Sequence, residues 1–162
     1  MDPAAPRPAA GRTGAAVSGR RRYAAFISYS HADARWAAWL QKQLESFRVP
    51  RRLVGTAGEH GPVPPRLAPV FRDREELASA NDLGGRIAQA LEASDALLVI
   101  CSPAAARSRW VNEEIRSFRR LGRGGRIHCL LVPAAAGERG ELAFPPALVE
   151  PIEGHAAPPE PI

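Results

Sequence analysis

Only two cysteines, Cys101 and Cys129, occur among the 162 residues, and each lies inside an apolar run. No Cys/His cluster has the spacing of a zinc site, so the pair reads as reduced thiols of a cytoplasmic protein with no metal. No apolar run approaches the roughly 18–20 residues that a membrane-spanning helix requires, which argues against membrane association. The first 22 residues, MDPAAPRPAAGRTGAAVSGRRR, lack an apolar h-region and do not form a secretory signal. A glycine-rich phosphate loop of the Walker or Rossmann type is missing too, which disfavours phosphoryl and hydride transfer. The length nevertheless suffices for one domain whose core needs neither disulfide nor metal.

What is present begins with charge. The formal net charge is +5, yet residues 1–22 hold five arginines against Asp2. The excess therefore belongs to the leader, and the remainder is close to neutral. Such an arm sticks weakly to phosphates at most, so no specific nucleic-acid partner is expected. Its Ala/Pro/Gly/Arg composition predicts disorder over 1–22. The folded domain is expected over 23–150, followed by a Pro-rich linker or tail over 151–162.

Order starts at Tyr23–Tyr29 (YAAFISY), a short buried strand. Ser30–Asp33 forms the loop and helix cap, and Trp36, Leu40, Leu44 and Phe47 then mark one face of a helix that Pro50 ends. Arg51–Arg66 is dense in Gly and Pro and reads as a surface excursion. Ala68–Arg72 is the second strand, and Asp73–Asp82 a polar loop with room for one helical turn. Leu83, Ile87, Ala90 and Leu91 share a face of the next helix, which Ser94 ends. A third strand runs to Cys101 (ALLVIC from Ala96), and a fourth spans Arg126–Pro133. Strands alternating with helices predict an α/β fold: a doubly wound, flavodoxin-like parallel sheet with helices on both faces.

The stretch Ser102–Gly122 organises the rest. Ser102 followed by Pro103 is an N-cap with proline at the first helical position. Val111, Ile115 and Phe118 recur at i, i+4 and i+7 and define a buried stripe. Trp110 and Glu114, also four apart, lie on the neighbouring face. In doubly wound folds ligands bind outside the carboxyl ends of the strands. Ser28–His31, Arg72–Asp73 and Ser102 fall at three such ends, and the Trp110/Glu114 helix rises from the same rim. A boundary Trp beside a solvated Glu is the bland alternative, but convergence of four segments favours a site.

Read together, FISYSHAD (Phe26–Asp33), VFRDREEL (Val70–Leu77), LEASDALLVICSP (Leu91–Pro103) and SRWVNEEI (Ser108–Ile115) resemble a Toll/interleukin-1 receptor (TIR) domain of the kind found in bacterial multidomain proteins. The resemblance covers roughly Arg22–Pro133 and implies that Asp73–Asp82 is the BB loop. Many members carry proline and glycine in that loop, whereas this chain reads ELASAN. The resemblance also implies that Trp110 and Glu114 form the W-x-x-x-E pair, whose glutamate is catalytic in NAD-cleaving members.

Breaking the nicotinamide–ribose bond of NAD⁺ passes through an oxocarbenium-like ribosyl cation. Nicotinamide departs as a neutral pyridine and needs no general acid. One carboxylate facing the cation is then enough, a role that fits Glu114. Trp110, Tyr29, Ser30, His31, Arg72, Asp73 and Ser102 are the candidate substrate-binding residues. His31 also reads as a loop residue and Ser102 as a cap, Arg72 and Asp73 read equally as holding the BB loop, and Glu113 points about 100° away from Glu114 and pairs with Arg109 or Arg116. The expected function is a self-associating NAD⁺ nucleosidase or cyclase in bacterial defence or signalling, with NAD⁺ as substrate and no cofactor. The alternative is a non-catalytic module that binds other TIR domains.

Overall fold

The computed structural model describes residues 22–58, 61–72, 80–133 and 143–151, with residues 80–83 described by backbone alone. Most of the expected leader, the tail after residue 151 and Asp73 with the loop up to residue 79 lie outside these. Strand β1 (Tyr23–Ser28) is followed by a 3₁₀ turn at His31–Asp33 and helix α1 (Ala34–Ser46). The Gly/Pro-rich excursion contains a small antiparallel hairpin, β2 (Ala57–Gly58) and β3 (Gly61–Pro62). The chain then runs through β4 (Val70–Arg72), α2 (Ala80–Glu92), β5 (Ser94–Cys101), α3 (Pro103–Arg107), α4 (Arg109–Arg120) and β6 (Ile127–Leu131).

The four longer strands pair in parallel in the order β4-β1-β5-β6. Ignoring the hairpin, this is the 2-1-3-4 order of a flavodoxin-like sheet, and the direction of winding reverses between β1 and β5. Alternation along β1 sends Phe26 to one face and Ala25 and Ile27 to the other. Phe26 packs with Leu97, Val99, Val111, Ile115 and Phe118, under α2, α3 and α4. Ala25 and Ile27 pack with Ala37 and the half-buried Trp36, Leu40 and Leu44 of α1. Helices therefore cover both faces, as expected. Burial of each large side chain contributes about 1.5–3 kcal/mol, so the α4 stripe is a principal anchor of the fold.

Three expectations are corrected. The stretch after β5 is two helices: Ser102 caps α3, and Ser108, whose Oγ accepts from Val111 N at 3.3 Å, starts α4 afresh. Helix α2 begins at Ala80, inside the segment read as loop. Phe47 does not join the α1 stripe; it is the C-cap, exposed, with its N–H on the Gln43 and Leu44 carbonyls.

Loop chemistry closes the remaining ends. Gly122 takes φ 74°, the left-handed turn that ends α4 without a Cβ penalty. Arg123 follows, donating to the Leu91, Glu92 and Ser94 carbonyls at 2.9–3.4 Å while its guanidinium lies 5.5 Å from the Phe118 ring centroid. One cation thus finishes α2 and fastens it to α4. At the sheet edge, Gln41 and Glu45 reach from α1 to the Val70 carbonyl and N–H, each at 3.0 Å. Those bonds cover backbone groups that an open edge strand would present to another chain.

Candidate active site

The site grows from the carboxyl ends of β1 and β5, at the point where the winding reverses. Residues alternate across β1, so Ser28 continues the Phe26 side of the strand, toward α4. It is 1 % exposed. On α4, Ser108 fixes the first turn, and the buried Val111, Ile115 and Phe118 fix the rotation about the axis. Glu114 is thereby turned to the strand end, half-buried, where Ser28 Oγ donates to its Oε2 at 2.5 Å.

A second contact lies at the next loop. Ser102 Oγ accepts from Ala105 N at 3.0 Å, the expected cap, and donates to Asp33 Oδ2 at 2.6 Å. Asp33, 7 % exposed, sits at the N-cap position of α1 but makes no side-chain cap bond there. Its carboxylate is turned to β5 instead.

The expected substrate-binding residues divide. Ser102 is in the network just described, as the residue joining two rim loops. Ser30 and His31 lie in the first loop, Ser30 half-buried with its carbonyl accepting from Asp33 N at 2.8 Å, and His31 exposed. Tyr29 is half-buried and packs with the α1-side cluster. Trp110, on the face beside the buried stripe, is 62 % exposed. Arg72 is not brought to Glu114. It registers with Ile27, on the α1 side of the sheet, and its Nε donates to Gln41 Oε1 at 3.0 Å. Asp73 lies outside the described residues.

Arg72 instead borders a groove of about 410 Å³ lined by Ala38, Gln41, Lys42, Glu45 and Ser46 of α1. This groove is open and sits across the sheet from Glu114. A buried hydroxyl holding a carboxylate at the winding reversal weighs more for chemistry than an open polar groove on one helix. Among the described residues no group of three His, Cys, Asp or Glu side chains could hold a metal.

Glu113 pairs with Arg116 at 3.7 Å, one of the partners its spacing predicts, and also with Arg120 at 2.6 Å. The segment AFPPALV (Ala143–Val149) docks on α4. Asn112 Oδ1 accepts from Ala147 N at 2.9 Å, Arg119 donates to the Ala147 carbonyl at 2.6 Å, and Arg116 makes a two-pronged pair with Glu150 at 2.7 Å. That pair holds the Glu150 carboxyl below its usual range. Cys101 is buried at the end of β5, and burial, then the adjacent Cys129, pushes its thiol up to about 12. Cys129 itself is exposed on β6, contrary to the impression its apolar run gives.

Sequence reasoning named Ser28 only as a rim donor and Asp33 only as a cap. The signal for Ser28 is present: it is a polar residue on the inward alternation of an otherwise apolar strand. Asp33 gives no such signal, since its partner is 69 residues away.

A parallel sheet in this order, with helices on both faces, is the flavodoxin-like α/β fold of TIR domains. Residues 26–135 match the family described as the TIR-like domain of Thoeris protein ThsB, and the chain belongs to that family. Among curated proteins, the NAD(+) hydrolase ApTIR of an Actinoplanes species is 43% identical over 98 residues, 60% of this chain. The matched part spans 12% of that protein's length. Among solved structures, the TIR domains of the activated Roq1 resistosome, which directly recognises the pathogen effector XopQ, are similar with a TM-score of 0.43 and 20% identity. That likeness covers 68% of this chain and 57% of the other.

Proposed function

We propose that this chain cleaves the nicotinamide–ribose bond of NAD⁺, with Glu114 as the catalytic carboxylate. The observation that carries the reading is Glu114 at the W-x-x-x-E position, hydrogen-bonded to buried Ser28 at the carboxyl end of the central strand. The 43% identity to a NAD(+) hydrolase supports it. In hydrolysis NAD⁺ and water give ADP-ribose, nicotinamide and a proton. The C1′–N bond breaks with its electron pair leaving on the neutral pyridine, and water then attacks C1′. Glu114 faces the ribosyl cation, and its stabilisation exists mainly in the transition state. Trp110, one turn back, supplies an aromatic face for the nucleotide, and Ser30, His31 and Tyr29 supply donors from the first loop. Arg72, on the other side of the sheet, is left out of this assignment.

Activity is further proposed to require a second copy. Trp110 is 62 % exposed beside the carboxylate, so the site of a single domain is wet. Expelling water strengthens the electrostatic interaction on which the chemistry depends. The second reading is a non-catalytic TIR–TIR module; the same exposed Trp110 favours it, because a solvent-facing indole suits a protein contact. Incubating the concentrated protein with NAD⁺ and following nicotinamide by chromatography separates them. The enzyme releases nicotinamide, and the Glu114→Gln protein does so on the order of 10²–10³-fold more slowly; an interaction module releases none.

A further inference from the structure

We infer that Ser28 is a positioning residue for Glu114, an inference that rests on the NAD⁺-cleaving reading. Glutamate has three rotatable side-chain bonds, and a carboxylate at a half-buried rim loses reach and orientation unless something holds it. Ser28 is suited to that task by where it is. Strand β1 is paired on both sides, with Ile27 in register with Arg72 of β4 and Ser28 with Val99 of β5. Its backbone is therefore fixed by two ladders. The side chain is 1 % exposed and lies one alternation beyond Phe26, on the face that α4 covers.

Packing alone favours an apolar residue at such a position, as at Phe26, Leu97 and Val99 around it. A buried hydroxyl is tolerated only with a partner, and Ser28 spends its single proton on Glu114 Oε2. The strand thus fixes one carboxylate oxygen relative to the sheet, while Ile115 and Phe118 fix the helix that carries it. Ser28 contributes to the reaction by holding the carboxylate where positive charge develops, a gain realised in the transition state and only weakly in substrate binding. A purely space-filling serine makes a different prediction, which gives the test.

Nicotinamide release is measured for the wild type, Ser28→Ala, Ser28→Cys and Ser28→Thr, with a thermal melt of each. Cysteine fills the serine volume but is a weak donor, whereas threonine keeps the hydroxyl. The expected result is a kcat lowered about 10- to 100-fold in Ser28→Ala with KM within about twofold. Ser28→Cys should match the alanine variant, and Ser28→Thr should recover most of kcat. If the threonine methyl lowers the melting temperature, the cysteine comparison decides alone. Wild-type kcat in Ser28→Ala or Ser28→Cys, with Glu114→Gln inactive, overturns the role of Ser28 and leaves the reading intact. A rise in KM at unchanged kcat also overturns it. A wild type that releases no nicotinamide overturns the reading and this inference with it.

Discussion

Asp33 and Ser102, 69 residues apart in the chain, meet through a 2.6 Å hydrogen bond that Ser102 Oγ donates to Asp33 Oδ2. The bond joins the loop after β1 to the loop after β5, the two loops that flank the winding reversal. The same oxygen accepts from Ala105 N and so caps α3. One hydroxyl thus starts a helix and closes the rim in which Ser30 and His31 sit.

That double use makes the two partners unequal. Ser102→Ala removes the cap and strands a buried carboxylate, and should lower stability by about 1–3 kcal/mol. Asp33→Ala removes the acceptor and spares the cap, and should cost less. In the double variant the losses should fall short of the sum by about 0.5–3 kcal/mol. Urea unfolding of the four proteins measures this. Strict additivity would show that the contact does not couple the loops.

Glu114 and Glu113 are adjacent in sequence but occupy different environments. Glu114 meets a buried strand residue, whereas Glu113 is on the surface with Arg116 and Arg120. Glu114→Gln should reduce nicotinamide release on the order of 10²–10³-fold, the typical loss when one preorganised charge is removed. Glu113→Gln should change it by less than about threefold, as the median surface ion pair is worth little. Equal sensitivity, or greater sensitivity at Glu113, reverses the assignment.

Where the fold was legible in the sequence, short-range periodicity carried it. ALLVIC announced β5, and Val111, Ile115 and Phe118 announced the buried side of α4 at the correct spacing. The break between α3 and α4 was hidden because Arg107-Ser108-Arg109 contains neither Pro nor Gly; Ser108 works as a cap only once its backbone is extended (φ −73°, ψ 117°). The degree of exposure of Trp110 is hidden for a related reason. Periodicity gives the rotation of a helix, but what lies over its flank depends on elements far away in sequence. Arg72 was assigned to the rim from its place at a strand end. Its side of the sheet follows from register with Ile27, which no local pattern displays.

The two cysteines differ in a way that labelling can read. Burial, followed by the adjacent Cys129, raises the Cys101 thiol to about 12, while Cys129 is open to solvent. Alkylation of the native protein at about pH 8 should therefore place one label, on Cys129, and a second only after unfolding. The linked effect on stability has a definite sign. Between the unfolded value of 9.0 and about 12 the native state keeps a proton that the unfolded chain has lost. Stability conferred by the neutral thiol is fully present below 9.0 and declines as pH rises through that window. Native labelling of Cys101 at about pH 8 would contradict its burial.

Glu150 ties the segment after residue 143 to α4 through Arg116. Its carboxyl lies below the ordinary 4.5 because Arg116 hydrogen-bonds the charged form, so the pair contributes above that value and is lost as pH falls through the lowered one. The melting-temperature gap between wild type and Glu150→Gln should be constant from about pH 7 to 5 and close on further acidification. It should also shrink in high salt, since both groups touch water. A gap unchanged by both acid and salt would mean that glutamine perturbs packing and that charge plays no part.

Trp110 supplies the last expectation, because it is exposed on the helix that carries Glu114. If a second copy of this chain covers it, specific activity must follow the population of the associated form. Nicotinamide release per monomer should then rise steeply across a hundredfold increase in concentration, and rise again when the domain is crowded on beads. Trp110→Ala should flatten the dependence at low activity while leaving the melting temperature nearly unchanged, since an exposed ring contributes little to the fold. Association orders the rim only to the extent that the partner binds the closed form more tightly than the open one. Light scattering on the same samples supplies the comparison. Full activity in a protein that remains monomeric at the lowest concentration would remove the partner from the mechanism and leave Trp110 as a contact for the nucleotide alone.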